Sequence, residues 1–132
     1  MQKRAKILLV DDDRDFIEVT RTVLESKPYQ VVTATNGDEA LRVAKREKPD
    51  LILLDIIMPV KDGFTAAEQL KKDIQLKKIP IVMLTSFAQT GQGSALPRAR
   101  GMGLQTEDYL EKPISPKDLL SAVEKQLKKA GA

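Results

Sequence analysis

Asp11, Asp12 and Asp13 follow the apolar run "KILLV", and Asp55 closes the run "LILL". Thr85 and Ser86 follow "IVML", and Lys112 with Pro113 follows "DYLE". Carboxylates clustered with few other donors suit a hard, oxygen-seeking divalent cation such as Mg²⁺ (or Mn²⁺), which keeps waters and shares a phosphate. An aspartate can attack phosphorus and form an acyl phosphate. A lysine then acts as a compact charge with three donors beside the transferred oxygens, and a hydroxyl can hydrogen-bond to them. These residue types together point to divalent-metal-assisted phosphoryl transfer. The chain contains no His and no Cys, which excludes imidazole and thiolate chemistry and any disulfide framework.

Taken singly, each residue has an ordinary reading. Asp13 suits the N-cap of a following helix. Thr85 is a β-branched strand residue, Lys112 a strand-end lysine, and Asp55 an acceptor for a loop. Their joint placement is what matters, and it depends on the elements that carry them. Short apolar runs at 6–10, 29–34, 51–54, 79–85 and 108–112 alternate with helical periodicities. Phe16, Ile17, Thr20, Val23 and Leu24 share one face of a helix that Pro28 ends. Asn36-Gly37 turns into "DEALRVAKREK", which Pro49 stops, and Gly63 opens "FTAAEQLKKD" with Phe64, Ala67 and Leu70 inward. Ser115-Pro116-Lys117-Asp118 is a helix start, after which Leu119, Leu120, Val123 and Leu127 face inward. Strands alternating with helices predict an α/β sheet of parallel strands with helices on both faces. A strand buried on both sides reads as continuous apolar sequence, as 51–54 does. In such sheets ligands bind beyond the carboxyl ends of the strands, and that is where the acids, the hydroxyl pair and the lysine fall.

The 132 residues, 42% hydrophobic and 31% charged, fit one domain (1–132) with a buried core. No apolar run approaches the roughly 20 residues of a membrane span, and no secretory signal is evident, so the expected address is the cytoplasm, with no membrane partner. A net charge of +3 with acids and bases interspersed gives no reason to expect direct nucleic-acid binding.

The segments "KILLVDDD", "LILLDIIMPVKDG", "IVMLTS" and "DYLEKPIS" resemble, in order and spacing, the receiver domain of two-component response regulators, the CheY-like superfamily. The resemblance covers nearly the whole chain. It implies a flavodoxin-like doubly wound (βα)5 fold with a five-stranded parallel sheet, order 2-1-3-4-5. It also implies a phosphoprotein of phosphorelay signal transduction that is not an enzyme beyond its own aspartyl phosphorylation and slow dephosphorylation. Asp55 is then the phosphoacceptor, taking a phosphoryl group from a phosphohistidine on a sensor histidine kinase or a histidine phosphotransfer protein. Asp12 is a direct Mg²⁺ ligand, Asp11 acts through water, and Asp55 and the backbone carbonyl of Ile57 complete the metal site. Thr85 turns its hydroxyl, and Lys112 its ammonium, to the phosphoryl oxygens. Pro113 gives the peptide after that lysine its unusual isomer, and Gly63 permits the tight turn into the third helix. Tyr109 is the aromatic switch coupled to Thr85, and the output is a change in the face formed by the fourth helix, fifth strand and fifth helix. That face would act on a downstream effector or a fused output domain. Ile57, Ser86 and Phe87 occupy rate-tuning positions. Ile57 and Phe87 are apolar where attacking water would be guided, so a long-lived phosphorylated state is expected.

Residues 86–107 depart from the family pattern. Four glycines and Pro97 interrupt the segment, and each glycine costs a helix about 1 kcal/mol and a proline about 3. The expectation is a short or irregular fourth helix, near 95–101, within a flexible loop. "GQGSALPRARG" lacks the spacing of a phosphate-cradling loop. Two other functions fit parts of the sequence. A haloacid-dehalogenase-like phosphatase shares the Asp-x-Asp after a strand, but Arg14 and Asp15 stand where its motif wants other residues. An interaction module of receiver fold that is never phosphorylated is the third reading.

Overall fold

The computed structural model of the chain describes residues 4–56, 62–86 and 108–130. Five parallel strands, β1 (Ala5–Val10), β2 (Tyr29–Ala34), β3 (Leu51–Asp55), β4 (Ile81–Ser86) and β5 (Asp108–Lys112), form one sheet in the order β2-β1-β3-β4-β5. Helices α1 (Arg14–Glu25), α2 (Gly37–Glu47) and α3 (Gly63–Lys72) follow the first three strands, and a C-terminal helix spans Pro116–Lys129. This is the expected doubly wound fold. The expectations for Ile57, for Phe87 and for an irregular fourth helix fall outside the described residues.

The apolar strands hide a period of two, because both faces are covered. Ile7, Leu9, Leu51, Leu53, Val82 and Leu84 pack beneath Ile17 and Leu24 of α1 and Leu119, Val123 and Leu127 of the C-terminal helix. Leu8, Val10, Ile52, Leu54, Ile81 and Met83 point the other way, onto Ala40, Val43 and Ala44 of α2 and Phe64, Ala67 and Leu70 of α3. Leu76, in the connection after α3, closes that second core, although nothing periodic in the sequence marks it. Truncating a residue such as Leu53 to alanine would leave a cavity costing about 3 kcal/mol.

Side chains of the expected types cap the helices. Asp13 accepts from the backbone N–H of Asp15 and of Phe16 at 3.0 and 3.2 Å. Asn36, Asp62 and Ser115 each accept from an N–H in the first turn of their helix. Pro116 sits in the first turn of the C-terminal helix, where its missing donor is harmless. Each cap contributes about 1 kcal/mol, and each capped helix starts after the carboxyl end of a strand. Among the described residues no helix is long and apolar enough to cross a membrane.

One expectation is corrected. The apolar run closing on a carboxylate suggested that the third strand ends at Asp55 and that this residue is the first one out of the core. β3 does end at Asp55, but the residue stays in the core, with an exposure of 0%. Pairing with β4 continues to the end of the strand, with Asp55 opposite Leu84 and the Ile56 N–H bonded to the Leu84 carbonyl at 3.0 Å.

Candidate functional site

The site begins where β1 ends. The Asp11 N–H donates to the carbonyl of Ala34, the last residue of β2, at 3.1 Å, so the chain stays in the sheet one residue beyond β1. That bond holds Asp11 in place, fully buried. Its Oδ1 accepts from the Asp13 N–H at 2.9 Å. Its Oδ2 accepts from the Lys112 ammonium at 2.6 Å, a bond between residues on opposite sides of β3. Asp12, between the two, is exposed. Asp13 is engaged as the cap of α1, so the three aspartates divide into a buried acid, an exposed acid and a structural one.

Asp55 enters from β3. Lys112 Nζ lies 3.6 Å from its Oδ1, close enough for ion pairing but not for a hydrogen bond. Both carboxylate oxygens are buried and accept no hydrogen bond. Asp11, Asp12 and Asp55 each offer an oxygen, and these oxygens all lie within 4.8 Å of one another. Burial is the largest influence on Asp55, followed by the neighbouring Asp11 charge, with Asp12 adding to it. These outweigh the attraction of Lys112 and push its carboxyl up to about 7. Burial also pushes Asp11 upward, though its hydrogen bonds from Lys112 and Asp13 resist the shift.

Thr85 lies one residue beyond Leu84, the β4 partner of Asp55, and its hydroxyl oxygen is likewise buried without a hydrogen-bond partner. Ser86 follows and is in register with Lys112. Tyr109 lies on β5 opposite Met83, 38% exposed. The Lys112–Pro113 peptide is cis, as expected. Gly63 meets a different demand from the conformational one the sequence suggested. A Cβ there would overlap the Asp55 carbonyl and approach the Ile56 Cα to 2.7 Å. The Gly63 N–H donates to the Ile56 carbonyl at 2.7 Å, so α3 starts directly against the end of β3.

The sequence reading therefore assembled a real cluster but missed two of its contacts. Lys112 was expected to pair with an incoming phosphoryl group, whereas its present partner is Asp11. Phe16, read only as a core residue, places its ring 4.2 Å from the Lys112 ammonium. Neither contact leaves a local signal, since the partners are about 100 residues apart in the sequence.

Three carboxylates, two of them buried, offer an all-oxygen donor set with one lysine ammonium beside it. The unpartnered oxygens of Asp55 fit coordination by a hard divalent cation, which prefers such donors. They also leave lone pairs free to attack phosphorus.

Residues 7–124 match the family described as the response regulator receiver domain. The alkaline phosphatase synthesis transcriptional regulatory protein PhoP of Bacillus subtilis is 37% identical over 95% of this chain, which spans 49% of PhoP. Protein PilH of Pseudomonas aeruginosa is 35% identical over 90% of the chain and 94% of PilH. The chemotaxis response regulator CheY4 of Vibrio cholerae has a crystal structure that superposes with a TM-score of 0.82 at 30% identity, covering 94% of this chain and 99% of CheY4. The chain thus spans about half the length of PhoP and nearly all of PilH.

Proposed function

The chain belongs to the response regulator receiver family, whose role is two-component phosphorelay signalling, and on that premise we propose that Asp55 is its phosphoacceptor. The Asp55 carboxylate attacks the phosphorus of a phosphohistidine, a P–O bond forms as the P–N bond breaks, and the imidazole leaves with a proton. The observation that carries this reading is a fully buried carboxylate whose oxygens accept no hydrogen bond while a lysine stands 3.6 Å away. An unsatisfied buried charge of this kind costs several kcal/mol in a purely structural role. A nucleophile needs those lone pairs free.

Asp12 and Asp55, with the Ile57 carbonyl, would hold Mg²⁺ directly and Asp11 would do so through water. When bound, the cation neutralises charge on the carboxylates and on the transferred oxygens. Lys112, already anchored by Asp11, offers its remaining N–H donors to the phosphoryl group. Phosphorylation replaces one negative charge by roughly −2 and adds acceptor oxygens. The unpartnered Thr85 hydroxyl then has an acceptor. Its turn toward the phosphoryl group is coupled to Tyr109 on the neighbouring strand, which changes the face built by β5 and the C-terminal helix. The donor is a sensor histidine kinase or a histidine phosphotransfer protein, and the receiver of the signal is an effector or a fused output domain. Any transcriptional output of the PhoP kind would come from such a domain rather than from this chain.

The test is incubation with a small acyl-phosphate donor and Mg²⁺, read by intact mass. One phosphoryl adduct, absent in Asp55→Asn, is expected; no adduct at saturating donor would overturn the reading. Ile57 and Phe87 are apolar residues that cannot orient an attacking water, and Ser86 is the third tuning position. The adduct should therefore persist well beyond seconds, and Ile57→Asn with Phe87→Glu should shorten its life. An unchanged lifetime in that double variant would refute the tuning role.

A further inference from the structure

Lys112 Nζ has three neighbours: Asp11 Oδ2 at 2.6 Å, Asp55 Oδ1 at 3.6 Å and the centroid of the Phe16 ring at 4.2 Å. The first two are carboxylates that any lysine at the rim would seek. The third differs in kind, because Phe16, partly buried and packed against the core cluster of Ile17 and Leu24, also turns its ring face to the ammonium. Its backbone is held by the helix cap. The Phe16 N–H donates to Asp13, and so the residue is fixed in the first turn of α1, beside the aspartates.

An ammonium on a four-carbon stem has about 2 kcal/mol of rotamer entropy and is strongly hydrated. The hydrogen bond to Asp11 uses one donor and leaves two free to take water or to swing away. A ring face within about 6 Å attracts the cation and occupies space that its hydration shell would fill. Lys112 is accordingly only 15% exposed although it lies at the rim. A charge with less water around it acts more strongly on a neighbouring anion.

The geometry points to Phe16 as a positioning residue for phosphoryl transfer. Its ring holds and partly desolvates the Lys112 ammonium, so that the donors Asp11 does not use are directed at the group arriving on Asp55. This inference rests on Asp55 being the phosphoacceptor. It also gives Asp13 a second consequence beyond capping, since the cap fixes the backbone of the residue that carries the ring.

The experiment measures the rate of adduct formation with acetyl phosphate and Mg²⁺, by intact mass, for the full chain. Wild type, Phe16→Leu and Phe16→Tyr are compared, each with Lys112 present and with Lys112→Met, and thermal unfolding confirms that each variant is folded. Phe16→Leu keeps an apolar cover but loses the ring face, and should slow the reaction about three- to tenfold. Phe16→Tyr restores a ring face and should react at close to the wild-type rate. With Lys112→Met, Phe16→Leu should cause no further slowing, because the ring acts only through the ammonium. A wild-type rate in Phe16→Leu, or the same slowing in both backgrounds, would overturn the assignment. Phe16→Met takes the place of Phe16→Leu if the latter does not fold. Failure of the underlying reading looks different: wild type would then form no adduct, or the adduct would survive Asp55→Asn.

Discussion

Lys6 near the amino-terminal edge of the sheet and Lys112 at the carboxyl-terminal edge each hold a carboxylate, yet the two surroundings differ in kind. At the amino edge, Lys6 Nζ meets Glu47 Oε1 at 2.9 Å, and the Lys6 N–H donates to Asp50 Oδ2 at 2.8 Å. The Asp50 N–H returns a bond to the Lys6 carbonyl at 2.7 Å. Hydrogen bonds from Lys6, and then from Arg46, hold the Glu47 carboxyl below its ordinary range. At the carboxyl edge, one lysine serves two buried acids, and Asp55 is pushed the opposite way, to about 7. The first arrangement is satisfied and ties β1 to the chain entering β3. The second leaves acceptors open at one point of a rigid sheet, which is what a site of reaction requires and a structural contact avoids.

The strongest way to break this contrast is to remove the lysine at each edge. Lys112→Met takes away the preformed charge and should slow phosphorylation about 100-fold or more, measured as initial adduct rate with a saturating acyl-phosphate donor. Lys6→Met should leave that rate unchanged. An equal effect of the two would mean that the carboxyl edge is not special.

The next effect is on stability. A carboxyl raised in the folded state keeps a proton that the unfolded chain has released. Its contribution is therefore complete below about pH 4 and is lost as pH rises through about 7, amounting to about 4 kcal/mol in all. Without divalent cations, the unfolding midpoint should fall across that window. Asp55→Asn should flatten the fall and raise the midpoint near pH 8. A midpoint that rises with pH in the wild type would show that the crowded acids are not a burden on the fold.

Gly63→Ala tests whether the site depends on the close approach of α3 to β3. The added methyl meets backbone rather than a movable side chain, so the variant should lose about 2 kcal/mol and form adduct more slowly, by denaturant titration and mass. The smallest expected effect belongs to the amino edge. Lys6→Met should lower the unfolding midpoint slightly, as partly exposed ion pairs contribute little.

Much of this could be read from the residues. The strand runs, the caps at Asp13 and Ser115, and the acids at strand ends carry strong local signals, because parallel strands buried on both faces and helix starts restrict residue type. The depth of Asp55 could not be read, since a carboxylate after an apolar run ordinarily marks the approach of solvent. The Asp11–Lys112 bond joins residues 101 positions apart, and the ring of Phe16 reads equally well as core. Gly63 was singled out for conformational freedom, while the structure shows that it makes room for the Asp55 carbonyl.

The central claim is that Asp55, the buried acid with open acceptors, takes the phosphoryl group. Borohydride reduction of the freshly phosphorylated protein, followed by peptide mass mapping, converts an aspartyl phosphate to homoserine and so locates it. Homoserine at position 55 alone is the predicted result. Homoserine at Asp11 or Asp12, or a phosphoryl group found on Thr85 or Ser86, would contradict it.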